Sequence, residues 1–146
     1  MAKQVNSIVI NRPIEDVFAV ATDPTLTGRW FPGDVEEHWT TPPPHGVGSV
    51  RHATVTVMGR RAENDATVTE LDPPRRGVLA GEQQGVKFVG TIACTPVDGG
   101  TKLDFTFEAN AGGAMRLLMG PFMSWYRKSW DTGLANLKRL MEAGEL

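Results

Sequence analysis

After a long succession of strand-like segments the chain ends in a helical pattern, and that order limits its fold more than any other feature. Met115, Leu118, Met119, Phe122, Tyr126, Gly133, Leu137, Leu140 and Met141 recur at intervals of three and four and make one apolar stripe. Gly120-Pro121 interrupts it, because a proline inside a helix lacks the N–H that the preceding turn needs. The continuous helix is therefore expected from Pro121, a run of roughly 22 residues or about 33 Å at the usual helical rise. A stripe of that length must be covered by a large apolar surface.

The preceding residues supply one. Residues 4–10 carry β-branched side chains at strand density. Asn11 is placed to cap a first helix, Pro13 suits its first turn, and Glu15 and Asp16 lie where the helix dipole favours negative charge. Ile14, Val17, Phe18 and Ala21 follow at helical spacing. Asp23-Pro24 ends that helix and opens a short second one through Leu26, Trp30 and Phe31, stopped by Pro32-Gly33. Strands are then expected over Val35–Thr40, Val50–Met58, Asn64–Leu71, Val78–Glu82, Val86–Thr95 and Thr101–Ala109, with the proline-rich Thr41–Gly48 as a loop. Turn residues near Gly59, at Asp72-Pro73-Pro74, at Gly85 and at Asp98-Gly99-Gly100 separate the later strands, and Ala109–Gly113 reads as a flexible link to the helix.

Consecutive strands joined by short turns make an antiparallel sheet. The fold class is α+β: about six or seven strands in a curved antiparallel sheet wrapped around the long C-terminal helix, with two short helices plugging one end. Curling leaves a gap wherever side chains fail to reach across. The length of 146 residues fits a single domain, 1–146.

Charge narrows the function. Fifteen basic residues are offset by seventeen acidic ones, for a net charge of -2, and they are scattered singly or in pairs. A nucleic-acid partner would favour a basic stripe, so none is expected. No stretch approaches the length of a membrane span and the first residues do not read as a signal peptide, so a cytoplasmic protein is expected. Cys94 is the only cysteine and cannot form an internal disulfide. No phosphate-loop or dinucleotide pattern appears, and no cofactor is expected. His38, His45 and His52 are spaced by seven, which suits neither a helix face nor one strand, so no metal site is expected.

The order of elements, together with particular residues, resembles the START-like (SRPBCC) superfamily and within it the polyketide cyclase/dehydrase group. The resemblance rests on Arg12-Pro13-Ile14-Glu15-Asp16-Val17-Phe18, Asp23-Pro24, Arg29-Trp30-Phe31 and Val47-Gly48. It continues with the run Val68 to Arg76, Gly99-Gly100-Thr101-Lys102-Leu103 and the terminal Asn136-Leu137-Lys138-Arg139-Leu140. It implies the helix-grip fold of the birch-pollen allergen and lipid-transfer domains. It does not imply one chemistry, because similar proteins bind lipids, hormones or aromatic polyketides, or act as cyclases and aromatases.

Trp30, Phe31, Phe88, Gly90, Phe105, Phe107, Met115, Leu118, Met119, Phe122 and Tyr126 are expected between sheet and helix, as core or as the wall of a ligand cavity. Gly90 interrupts a bulky inner face, and the methionines near the helix start suit an adaptable wall. The Gly112-Gly113 link and Gly120-Pro121 make that end the expected entrance. Tyr126 could orient a ligand carbonyl, or simply rest its hydroxyl at the rim. His52 is a candidate acid/base, with Glu82 as partner, if its strand turns that face inward; the outward reading is favoured about two to one. Trp125 and Trp130 are expected partly off the stripe, either exposed at a dimer contact or packed against the sheet edges, the second being favoured.

Two functions follow as the main expectations: a binding module for a hydrophobic or aromatic small molecule, lipid- or polyketide-like, or a cyclase, aromatase or dehydratase using the same cavity with His52 or Tyr126 moving protons. A third, weaker one is a protein-interaction or stress-related domain with a vestigial cavity. The partner is the hydrophobic small molecule, and the protein is a monomer or a homodimer.

Overall fold

A computed structural model describes residues 2–146. Strand β1 (Ala2–Ile10) leads into helix α1 (Ile14–Ala21), a 3-10 turn (Pro24–Leu26) and helix α2 (Thr27–Trp30). Strands β2 (Val35–Trp39), β3 (Val50–Val57), β4 (Arg60–Asp72), β5 (Arg76–Gln83), β6 (Val86–Val97) and β7 (Gly100–Asn110) follow, and helix α3 (Met115–Glu142) closes the chain. All seven strands form one antiparallel sheet in the order β1-β7-β6-β5-β4-β3-β2. Chain neighbours are sheet neighbours from β2 to β7, joined by short turns from β3 onward and by the loop 40–49 between β2 and β3. Met58-Gly59 and Gln84-Gly85 make two of those turns with both residues at positive φ, the conformation that matches the twist of a tight hairpin.

Register fixes the concave face. Phe88, Gly90, Ile92 and Cys94 on β6 stand opposite Ala109, Phe107, Phe105 and Leu103 on β7. On β1, Gln4, Asn6 and Ile8 face Phe107, Phe105 and Leu103. Helix α3 lies over this β1–β7 side. Trp130, Leu134, Leu137 and Met141 are buried there with Ile10, Leu103 and Phe105. The buried amides of β1 anchor the helix: Gln4 Nε2 donates to Asn6 Oδ1, and Asn6 Nδ2 donates to the Arg127 carbonyl at 3.1 Å and to Asp131 Oδ1 at 2.7 Å. Gly133 lets α3 approach α2, since a Cβ there would sit 3.2 Å from the Phe31 ring and 3.3 Å from Pro32.

Two expectations need correction. Helix α3 does not wait for Pro121; it runs 28 residues from Met115, with Pro121 inside. The proline removes one N–H early in the helix, near Leu117 and Leu118, which are 83% and 59% exposed. A carbonyl left unpaired at so open an end can bond water instead, so the turn survives. Asn11 does not cap α1. Pro13 holds that position without a side-chain bond, and the Asn11 N–H binds Glu142 Oε2 at 2.9 Å, tying the end of α3 to the start of α1. Arg12 reinforces this tie by donating to the Met141 carbonyl and to Asp16.

Candidate ligand-binding site

The middle of the concave face is built from small residues. Ala53 on β3, Ala66 on β4, Gly77 and Gly81 on β5 and Gly90 on β6 share that face through the strand registers. Ala53 and Ala66 are packed over, at 1% exposure each, and Gly81 lies under the Phe88 ring, whereas Gly77 and Gly90 border open space beside α3. A cavity of about 460 Å³ remains, between the sheet, α1, α2 and one flank of α3. Most of its wall is apolar: Phe18 from α1, Trp30 from α2, Val68 and Leu71 from β4, Phe88 and Ile92 from β6, and Phe105 and Phe107 from β7. A mostly apolar concavity with a few polar groups is the form of small-molecule sites. Exposed lining residues Ala19, His45 and Pro73 mark its mouth, where the His45 ring stacks on Trp39 at 4.3 Å between centroids. The mouth is therefore bordered by α1, the β2–β3 loop and the β4–β5 turn, and not by the start of α3.

Of the residues expected at the site, Trp30, Phe88, Gly90, Phe105, Phe107 and Tyr126 line this cavity. Phe31, Met119 and Phe122 pack against the core beside it without bordering it. Met115 is only partly covered and Leu118 is exposed. The stripe drawn through them follows the helical period, but the sheet and short helices do not extend far enough to cover the first turns of α3. Trp130 corrects its expectation in the opposite direction. It is 8% exposed, stacks on Phe105 with centroids 3.4 Å apart, meets Trp30 edge-on at 5.6 Å and lines the cavity. Its spacing already carried that signal, four residues after Tyr126 and three before Gly133.

Tyr126 meets the Phe107 ring edge-on at 4.6 Å and reaches the cavity wall. Burial pushes its pKa up to about 12, a rise that the nearby Trp130 indole and Arg51 charge oppose and Glu37 reinforces. The phenol thus stays neutral at physiological pH, able to donate and accept a hydrogen bond but not to act as an ionised base. Cys94 is buried on the same sheet face, and burial, helped by Asp104, raises its pKa to about 11, which keeps it a thiol.

His52 and Glu82 are not at the cavity. Arg51 and Ala53 are the inward residues of β3, so His52 faces out, against Asp65 across the β3–β4 ladder and His38 across β2–β3. Glu82 pairs in register with Asp65 and is exposed. The His52 imidazole lies 2.8 Å from Asp65 Oδ1 and 3.4 Å from Glu63 Oε1. Hydrogen bonds to these two carboxylates raise its pKa above 6.5, Asp65 contributing most. A raised folded-state value means the pairing stabilises the protein fully below the unfolded pKa and is lost as pH rises through the folded one. An NMR titration is expected to place His52 above 6.5 and to show it falling in Asp65→Asn; a wild-type value at or below 6.5 would contradict the pairing.

The inward parity of β2 and β3 delivers a group that sequence reading did not single out. Arg51 and Glu37 line the cavity, with Arg51 Nε 3.4 Å from Glu37 Oε2 and only 12% and 13% of their side chains exposed. Arg51 Nη1 also donates to Asn64 Oδ1 at 3.0 Å, and Asn64 Nδ2 to Gln83 Oε1 at 3.0 Å. A polar ladder therefore crosses four strands at one side of a mostly apolar chamber. The signal for it lay in the alternation of β3: once Ala53 is inward, Arg51 must be inward too.

A curved antiparallel sheet gripping one long C-terminal helix over a cavity is the helix-grip architecture. The chain belongs to the family described as polyketide cyclase / dehydrase and lipid transport, whose model matches residues 1–142. The same fold occurs in TTHA0849 from Thermus thermophilus, with a TM-score of 0.81 at 17% identity over 99% of this chain and 100% of that one. Protein CV1439 from Chromobacterium violaceum matches with a TM-score of 0.73 at 19% identity, over 96% of this chain and 97% of that one. The Aha1 dimer from Colwellia psychrerythraea gives 0.70 at 19% identity over 100% of both chains. No curated protein matches the sequence. No helix among the described residues is long and apolar enough to cross a membrane.

Proposed function

We propose that the protein binds a hydrophobic small molecule in the cavity between its sheet and α3. The single observation that carries this reading is a chamber of about 460 Å³, apolar over most of its wall and open at one side. A water-filled apolar cavity of this size forgoes both burial and dispersion, so filling it with an apolar ligand is favourable. Trp30 and Trp130 line the chamber and report on it. Titrating the delipidated protein with an apolar fluorescent dye is expected to quench tryptophan emission saturably while the dye brightens. A linear, unsaturable response at dye concentrations up to its solubility would sink the reading.

A second reading, a polyketide-type cyclase or dehydratase, is favoured by the Tyr126 hydroxyl sharing the chamber with Glu37 and Arg51. In that case Tyr126 would hold a ligand carbonyl while Glu37 moved a proton, with the apolar walls folding the chain for reaction. Tyr126→Phe would then lower turnover of an accepted substrate far more than it lowers binding. Equal losses in both would leave Tyr126 only a wall residue.

A further inference from the structure

Building on the cavity-binding reading, we propose that the Glu37–Arg51 pair selects ligands whose polar end is neutral, a hydroxyl or carbonyl, over ligands that end in a carboxylate. Arg51 keeps part of its hydrogen-bonding capacity free. Its Nε faces Glu37 and its Nη1 donates to Asn64, while Nη2 has no protein partner among the described residues. Glu37 meets Arg51 through Oε2, and its Oε1 has no hydrogen-bond partner among them. The pair thus presents one donor group and one acceptor oxygen to the same chamber. A ligand hydroxyl can satisfy both at once, and a carbonyl can accept from Nη2.

A carboxylate meets a different balance. Leaving water is costly for an anion, and an uncompensated cation nearby is what offsets that cost. Here the guanidinium charge is already compensated by Glu37, whose own negative charge would face the incoming anion. Arg51 is the only Lys or Arg among the lining residues, and the one lining histidine, His45, is exposed at the mouth and stacked on Trp39. The phenol of Tyr126 adds a further neutral donor on the wall. An amphipathic molecule with a neutral oxygen therefore fits, and a fatty-acid-like anion does not.

The test compares 2-naphthol with 2-naphthoate, which share a ring system and differ in charge at neutral pH. Isothermal titration calorimetry of the intact chain is expected to show naphthol binding about tenfold tighter or more. Glu37→Gln leaves Arg51 uncompensated, so naphthoate should gain about tenfold or more and the preference for naphthol should shrink to parity or beyond. The double variant Glu37→Leu/Arg51→Met should lose the ability to favour naphthol through hydrogen bonds while retaining the apolar dye. Circular dichroism melts identify which variants are folded, and the wild-type comparison stands without any variant. Wild-type protein that binds naphthoate as well as naphthol, or a folded Glu37→Gln that leaves the ratio unchanged, would overturn the inference while leaving the cavity-binding reading intact. Failure of the dye and both naphthalenes to bind would instead sink that reading, and this inference with it.

Discussion

Trp130→Ala is expected to destabilise the protein by about 3–5 kcal/mol, the range for removing a buried tryptophan from a packed core. The residue is 8% exposed and sits at the junction of every layer: stacked on Phe105 of the sheet, edge-on to Trp30 and Phe31 beside α2, and 6.3 Å from Tyr126 on its own helix. Few sites can collapse around such a loss, because the neighbours are rings held by one another. A chain of this size should lose roughly 10 °C or more in melting temperature. Trp39 provides the contrast. It is partly exposed and stacks on an exposed histidine at the cavity mouth, so Trp39→Ala should cost much less. A thermal melt of both variants decides the matter; similar losses would mean that Trp130 does not organise the core as described.

Gly90→Leu is expected to leave the fold intact while lowering affinity for an apolar dye by about tenfold or more. A Cβ at residue 90 would meet the Phe105 ring at 3.5 and 3.9 Å, ordinary contact distances, so the backbone accepts a side chain. Replacing a strand glycine also recovers roughly 0.5–1 kcal/mol of backbone entropy. The added side chain has one place to go, the chamber that Gly90 lines. Gly81 shows why the choice of glycine matters. A Cβ there would lie 2.4 Å from the Asp65 carbonyl and 2.7 Å from the Phe88 ring, so substitution would disturb the sheet itself. Dye titration and a melt of Gly90→Leu separate filling from unfolding. A stable variant with undiminished affinity would place the ligand elsewhere.

The order of elements was legible because it depends on local signals: proline and glycine at turns, alternation in Thr101–Ala109, and a helical stripe at the end. The inner faces of β6 and β7 followed from the same alternation, which sets Phe88, Gly90, Phe105 and Phe107 on one side of the sheet. Legibility stopped where parity was undetermined. Strand β3 carries Val50, Thr54 and Thr56 on one face and Ala53, Val55 and Val57 on the other, so hydrophobicity did not choose between them, and His52 competed with Arg51 for the interior. Only pairing with β2 and β4 settles that choice. The extent of α3 failed for a different reason. A proline penalty is a statement about buried or continuous backbone, and the first turns of α3 lie where water can take the unpaired carbonyl. The same exposure removed Leu118 from the wall, since a helical period says which residues share a side but not how far the covering surface extends.

The proposed ligand site is the chamber between the sheet and α3. The most direct measurement is a structure of the protein with an apolar probe bound, by crystallography or by intermolecular nuclear Overhauser effects. The probe is expected against Phe88, Phe105, Phe107 and Trp130, with any polar atom turned towards Arg51 and Glu37. A probe found only on the outer surface, or a chamber closed by collapsed side chains, would contradict the claim.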